Sequence, residues 1–278
     1  MNKKIGIIFA LVLVAFLVMG TASAGLFDFL GGDDAGDATT NDEDTFIVGF
    51  DAEFPPYGYK DDSGNYVGFD LDLAKEVCER NNWTFVAQPI DWDAKDAELD
   101  SGSIDCIWNG FTINGREDDY TWSDPYIDNK QVIVVKADSG IDSLEDLADK
   151  NVETQKDSSA LAALQGDNKT LADTFADLIE VADYNTAFMD LESGACDAVA
   201  IDIGVAQYQV SSKDNADDFK ILEQTISSEQ YGVGFKLGNE DLRDQVQKTL
   251  DEMFEDGTVA KIAENYSDSG VPGSLITK

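Results

Sequence analysis

The stretch that decides the fold begins at residue 46 and reads FIVGF (46–50), followed after a polar turn by GFDLDLAKEV (68–77). FIVGF is a short apolar run that is typical of a buried strand. Phe69, Leu73 and Val77 recur at the i, i+4 and i+8 spacing that lines one face of a helix. A strand followed by an amphipathic helix predicts the first unit of a layered α/β fold, in which ligands bind at the carboxyl ends of strands.

The same alternation of strand-like and helix-like runs continues along the chain. Ser143 and Asp146 form the capping-box pattern that opens a short helix, and Asp256-Gly257 is a helix-ending signal. Further strands are predicted at 83–87, 106–108, 131–136 and 198–201, and further helices at 160–164 and 242–254.

The N-terminal segment has the pattern of an export signal. Two lysines at 3–4 precede an almost wholly apolar run at 5–19 and the small-residue triplet Ala22-Ser23-Ala24. This predicts a signal peptide at 1–24, cleaved after the triplet, and therefore an extracytoplasmic protein. An uncleaved signal anchor, which would tether the protein to the membrane, is the alternative. Residues 25–44 are rich in Gly, Asp and Thr and predict a flexible acidic linker.

Composition excludes several functional classes. The 278 residues include 56 acidic and only 19 basic side chains, for a net charge of −37, which argues against binding to nucleic acid or anionic lipid. The chain has no histidine, so His-based triads and His metal sites are ruled out. Cys78, Cys106 and Cys196 lack CxxC spacing. Cys78 and Cys106 are interpreted as small buried hydrophobic residues, and no metal or cofactor is expected.

Ordered sequence motifs run through the chain from Phe46 onward. None of these motifs is specific by itself, but the occurrence of all of them in this order is. They are DAEFPPY at 51–57, LDSGSID at 99–105, NGFTI at 109–113, WSDPY at 122–126, DSSA at 157–160, LESGACDAVAID at 191–202, GVGF at 232–235 and DGT at 256–258.

With these motifs the chain resembles the polar-amino-acid family of bacterial and archaeal solute-binding proteins (family 3), the extracellular components of ABC importers. The resemblance implies an α/β, two-lobed periplasmic-binding-protein-like fold of type II, with two crossover strands. Lobe 1 is expected at 45–127 and 232–278, and lobe 2 at 128–231. The resemblance also implies a monomer without catalytic activity that captures an amino acid between the lobes and delivers it to the importer's permease.

A buried amino acid needs a partner for each of its charges, because an unpaired buried charge is costly. Arginine matches a carboxylate bidentately. By resemblance, Arg116 takes this role, although it comes one position earlier than is usual in the family; a surface arginine beside the acidic run at 117–119 is the alternative. Thr112 is expected to offer its hydroxyl and backbone N–H to the same carboxylate, with Asn109 and Gly110 bordering it.

The second half supplies the remaining polar candidates. Ser158 and Ser159 precede an apolar helical run, where free N–H groups would face an anion, and a plain N-cap is the alternative or an additional role. Asp202 ends a buried strand, and the family uses this aspartate for the ligand's ammonium group. An aspartate there without a cation partner would be costly, which favours a binding role.

Aromatic residues are the candidates for the walls around the ligand side chain. Phe54 and Trp92 suit stacking or cation–π contact, with a core role equally open for Trp92. Trp108 could be a third wall or core. Asp51 is expected to meet the far end of the ligand side chain, which favours a basic or amide amino acid.

Two rival functions stay open. Relatives such as the cyclohexadienyl-type dehydratases use the same cleft as an active site, and Glu53 is the nearest acid/base candidate here. The second rival is a sensory surface protein that binds a ligand but feeds no transporter.

Overall fold

A computed structural model describes residues 45–276. The predicted signal peptide (1–24) and linker (25–44) lie outside the described residues and stay predictions. Within 45–276 none of the helices combines the length and the apolar character that crossing a membrane requires.

Short strands and helices alternate as the sequence predicts. The strands are β1 Thr45–Phe50, β2 Glu53–Phe54, β3 Gly58–Lys60, β4 Tyr66–Val67, β5 Thr84–Pro89, β6 Cys106–Ile107, β7 Thr121–Trp122, β8 Ile127–Lys136, β9 Asn151–Gln155, β10 Asp177–Val181, β11 Ala198–Asp202, β12 Phe219–Ile221, β13 Ser227–Tyr231 and β14 Gly234–Phe235. The α-helices are α1 Phe69–Asn81, α2 Lys95–Ser101, α3 Ser159–Gln165, α4 Lys169–Ala172, α5 Tyr184–Ser193, α6 Ile203–Ser211, α7 Glu240–Glu255, α8 Thr258–Ala263 and α9 Val271–Ser274. The 3₁₀-helices are Trp92–Ala94, Leu144–Leu147, Ala216–Asp218 and Glu264–Ser269.

Local sequence explains the bounds of α1. Its predicted apolar face is confirmed, because Phe69, Leu73 and Val77 are all buried. Gly68 precedes the helix with a φ of 145°, a backbone conformation that favours glycine, and an added Cβ there would lie 2.2 Å from the Tyr57 carbonyl oxygen. The helix therefore begins where the chain must pass close to another backbone segment.

The first lobe is built on a sheet with strand order β5-β1-β6-β14-β7. Strand β1 runs parallel to β5 and β6, and β14 pairs antiparallel with β6 and β7. Helices α1 and α2 pack against this sheet. The sheet thus combines strands from the first part of the chain with one from the C-terminal part.

The second lobe is built on a sheet with strand order β10-β9-β11-β8-β12, and β13 also pairs with β8. The chain enters this lobe through β8 and returns through β13, and these two strands pair antiparallel from Ile127 with Tyr231 to Gln131 with Ser227. The two extended crossovers of the expected fold are this strand pair. The predicted lobe boundaries at 127/128 and 231/232 fall at one end of it and stay predictions.

Most predicted elements are found with shifted ends. The strand predicted at 83–87 is β5, which begins one residue later and ends two residues later, and the strand predicted at 106–108 is β6, which ends one residue earlier. The capping box at Ser143 and Asp146 is present and opens the 3₁₀-helix Leu144–Leu147. Cys78 and Cys106 are buried, as predicted, and both are free thiols.

Candidate ligand-binding site

A small cavity lies between the two lobes. Its free volume is about 20 Å³, far below the roughly 300–1,000 Å³ of most small-molecule sites, so its walls lie close together in this structure. Its walls come from the first lobe and from the second lobe. The lining residues are Phe54, Trp92, Asn109, Gly110, Thr112, Arg116, Gln155, Ser158, Ser159 and Asp202. Apart from Gln155, each of them is a predicted site residue, and Asp51 is the predicted residue that lies elsewhere.

Arg116 reaches this cavity from the loop between β6 and β7. Its Nη1 donates hydrogen bonds to the Thr112 carbonyl oxygen at 3.3 Å and to Ser159 Oγ at 3.4 Å, and its Nη2 donates to the Asp157 carbonyl oxygen at 3.1 Å. The guanidinium also lies 5.2 Å from the ring centre of Phe111. Within residues 45–276 these partners are neutral oxygens and a ring, so the charge of Arg116 is available to an anionic group.

The loop that carries Gly110 is anchored by a hydrogen bond to a buried carboxylate. The Gly110 backbone N–H donates to Asp70 Oδ2 at 2.5 Å, and Asp70 is fully buried at the start of α1. Burial raises the pKa of Asp70 to about 7. Gly110 has a φ of 56°, and a Cβ there would lie 2.8 Å from the Phe54 ring. Asn109 Oδ1 accepts from the Asp51 backbone N–H at 3.0 Å, which ties this loop to the end of β1.

Asp202 stands at the carboxyl end of β11, as the sequence predicts, and is buried. Its Oδ1 accepts hydrogen bonds from Asn129 Nδ2 at 2.7 Å, Gln131 Nε2 at 2.7 Å and the Tyr231 hydroxyl at 2.5 Å. Among the described residues these donors are all neutral. The Asp202 carboxyl group is therefore surrounded by dipoles, and no protein cation among them could match a negative charge on it.

A second buried carboxylate, Glu229 on β13, stands beside Asp202 and was missed by the sequence reasoning. Its Oε1 accepts from the same two amides, Asn129 Nδ2 and Gln131 Nε2, both at 2.8 Å, and from Thr112 Oγ1 at 2.9 Å. Side chains alternate between the two faces of a strand, and Glu229 and the buried Tyr231 lie two positions apart on one face of β13. This alternation could have indicated that Glu229 is buried. Burial and the neighbouring Glu229 charge together raise the pKa of Asp202 to about 7.

The Thr112 hydroxyl proton points to Glu229, so it can reach a ligand carboxylate only if the hydroxyl rotates. Ser158 is the N-cap of α3, because its Oγ accepts from the Leu161 backbone N–H at 3.1 Å. Ser159 Oγ accepts from Arg116. These three hydroxyl groups line the cavity but are all engaged with protein groups.

Two of the aromatic candidates line the cavity. The Phe54 ring lies 5.8 Å from that of Tyr57 and 6.0 Å from that of Tyr184. Trp92 packs edge-on against Phe111. Trp108 is fully buried and does not line the cavity, so the core alternative holds for it.

Asp51 lies outside the small cavity and lines a larger, more open one next to it. Its Oδ2 accepts from Gln155 Nε2 at 2.6 Å across the lobes, and burial raises its pKa. Glu53 lines the same opening, and burial together with the neighbouring Asp183 raises its pKa to about 7. The other ionisable residues of this larger cavity are mainly acidic: Asp91, Asp93, Glu98, Lys156 and Asp183.

Lys95 is a further cross-lobe contact that the sequence reasoning missed. It is 1% exposed, it forms an ion pair with Asp157 of the second lobe, and it lies 5.2 Å from the ring centre of Trp92. Its helix, α2, has a polar sequence, but Leu99 one turn later is buried on the same face. That spacing is the signal that could have indicated its burial.

These features define a solute-binding protein, with two lobes, two crossover strands and a polar cavity between them. The sequence profile of the bacterial extracellular solute-binding proteins, family 3, matches residues 46–269. The chain belongs to this family.

Individual relatives agree in fold and length. The L-cystine-binding protein TcyJ of Escherichia coli K12 is 30% identical over 234 residues, covering 82% of this chain and 84% of the relative. The crystal structure of an ABC uptake transporter substrate-binding protein from Streptococcus pneumoniae with bound histidine has a TM-score of 0.78 and 31% identity, covering 80% of this chain and 92% of that one. An ancestral arginine-binding protein bound to glutamine has a TM-score of 0.73 and 39% identity, covering 80% and 97%.

Proposed function

We propose that this protein captures a free amino acid in the small cavity and delivers it to the membrane permease of an ABC importer. Arg116 binds the ligand's carboxylate from the first lobe, and Asp202 binds its ammonium group from the second. The observation that carries the proposal is the pair of opposite charges lining one cavity, each held by neutral partners within residues 45–276. A zwitterion neutralises both at once.

Because the two charges belong to different lobes, the ligand links the lobes. Contacts made only when the lobes meet stabilise the closed state, so binding and closure are one equilibrium. The importer then recognises the closed form. The relatives' printed names and titles, which include cystine-binding, histidine-bound and arginine-binding proteins, support an amino acid as the ligand class.

Within that class, a basic or amide side chain fits best. Asp51 and Glu53 line the opening next to the small cavity, and the surrounding carboxylates outnumber the single Lys156. A ligand with its backbone between Arg116 and Asp202 and a long side chain would extend towards these acids. Tighter binding of L-glutamate than of L-arginine, L-lysine and L-glutamine would contradict this choice.

The test is a thermal-shift screen of the twenty amino acids, followed by calorimetry on two variants. Arg116→Ala and Asp202→Asn each leave one ligand charge unpaired, so we expect affinity to fall by about 100-fold or more. Arg243→Ala and Asp177→Asn are matched controls, because Arg243 lies on α7 and Asp177 on β10, away from the cavity lining. Unchanged affinity in either site variant would refute the assignment.

We further infer that the protein acts outside the cytoplasm, as a monomer without catalytic activity. Relatives named as periplasmic or extracellular binding proteins support the location. For an enzyme on this fold, Glu53 would be the acid/base, and its raised pKa of about 7 suits that role, but it lines the outer opening and not the small cavity. Incubation with prephenate or arogenate, without formation of an aromatic product, is the expected result.

A further inference from the structure

Two carboxylates share one set of hydrogen-bond donors behind the small cavity. Asn129 Nδ2 and Gln131 Nε2 each lie within 2.8 Å of an oxygen of Asp202 and of an oxygen of Glu229. An amide nitrogen carries two protons, so each of the two amides donates one to Asp202 and the other to Glu229 and has none left for another acceptor. Asp202 is 4% exposed and Glu229 is 6% exposed, and water therefore does little to separate their charges.

The other groups around the pair bring no compensating charge within the described residues. Tyr231 donates to Asp202, while Tyr57 and Tyr184 pack nearby, and burial raises the pKa of all three phenols, so they are neutral. Asn129 and Gln131 on β8 are neutral as well. Arg116 lines the same cavity, but its hydrogen bonds go to Thr112, Asp157 and Ser159.

We propose that Asp202, beside the buried Glu229, holds a proton in the ligand-free protein and releases it when a ligand's ammonium group binds. This rests on the proposed function of the cavity. The carboxylic O–H bond breaks, the proton passes to water, and the ammonium group keeps its own protons. The pair then carries two negative charges against the ligand's one positive charge. Two buried carboxylates that accept from the same two amide nitrogens cannot both ionise readily until a cation is present.

The position of the pair links this proton to lobe movement. Asp202 ends β11 of the second lobe, Glu229 lies on the returning crossover β13, and Thr112 Oγ1 of the first lobe donates to Glu229. Asn129 and Gln131 lie on the other crossover. Glu229 does not line the cavity, so it is a positioning residue that sets the proton affinity of Asp202.

The first test measures proton release by calorimetry with L-arginine in buffers of different ionisation enthalpy. L-arginine keeps its ammonium group protonated between pH 6 and pH 8. Because the pKa of Asp202 is raised to about 7, we expect release of about 0.9 proton at pH 6 and about 0.1 at pH 8, with roughly tenfold weaker binding at pH 6 than at pH 8. Full affinity at pH 6 without proton release would overturn the proposal.

Glu229→Gln separates this role from a merely structural one. The variant removes one charge and keeps an acceptor oxygen, so Asp202 should ionise at lower pH, and both the proton release at pH 6 and the tenfold pH effect should decrease. Glu223→Gln is the matched control, because Glu223 is exposed on the same stretch of chain and its loss should change neither quantity. Wild-type proton release in a folded Glu229→Gln variant would contradict the proposal.

A ligand-free measurement keeps this inference separable from the proposed function. Carboxyl-carbon NMR of protein labelled at Asp and Glu should contain a titration near neutral pH that disappears in Asp202→Asn. If amino acids fail to bind but this titration is present, the proposed function fails and the protonation of Asp202 stands. If amino acids bind and the titration is absent, the proposed protonation of Asp202 fails alone.

Discussion

The ion pair between Lys95 and Asp157 joins the two lobes, and its removal tests whether this contact stabilises the closed state. The Lys95 side chain is 2% exposed and that of Asp157 is 51% exposed. Asp157→Asn would leave a buried ammonium group without its partner only while the lobes are together, because opening returns Lys95 to water. The variant should therefore weaken closure and, with it, ligand binding.

The magnitude follows from the unequal burial of the two side chains. Removing one partner of a fully buried pair costs about 3–5 kcal/mol. Half of Asp157 is in solvent, so water and salt screen it, and about 1–2 kcal/mol is the appropriate range. This converts to an affinity that is about 5- to 30-fold weaker.

Calorimetry with the tightest-binding amino acid is the assay. Asp173→Asn is the matched control, because it breaks the exposed pair of Asp173 with Lys169, which lies within one lobe. That variant should change affinity by less than about twofold. The reasoning is refuted if Asp157→Asn binds as tightly as wild type, or if both variants lose the same affinity.

Three other perturbations follow from the same contacts. Gly204→Ala would place a Cβ 2.5 Å from the hydroxyl oxygen of the buried Tyr57, so we expect the lobes to be held apart and small-angle scattering with ligand to retain an open profile. Gly110→Ala would place a Cβ against the Phe54 ring at a backbone φ of 56°, which disfavours alanine. It should therefore lower the melting temperature by several degrees and weaken binding, and an unchanged melting curve would count against the predicted clash. Asp70 has a folded-state pKa raised to about 7, so the folded state holds the extra proton and stability falls as pH rises from about 4 to 7. Urea unfolding of Asp70→Asn at pH 5 and pH 8 should therefore show a smaller decrease than wild type.

Local patterns in the sequence were sufficient for the elements that build each lobe. The apolar face of α1, the buried strand that ends in Asp202 and the capping box at Ser143 depend only on residues within a few positions of each other. Arg116 lines the cavity although it comes one position earlier than the family pattern. The assignment of roles to these residues stays a prediction until binding is measured.

Contacts between the lobes could not be predicted in the same way, because their partners are far apart in the chain. Periodicity could have indicated that Lys95 and Glu229 are buried, but not that Asp157 and Thr112 of the opposite lobe contact them. Gln155 likewise gains a role only through Asp51, 104 positions away. In each case the side chain contacts a residue of the other lobe. Sequence periodicity reports which face of an element is buried and not which distant residue packs there, so it misses these contacts, and in this protein they lie around the cavity.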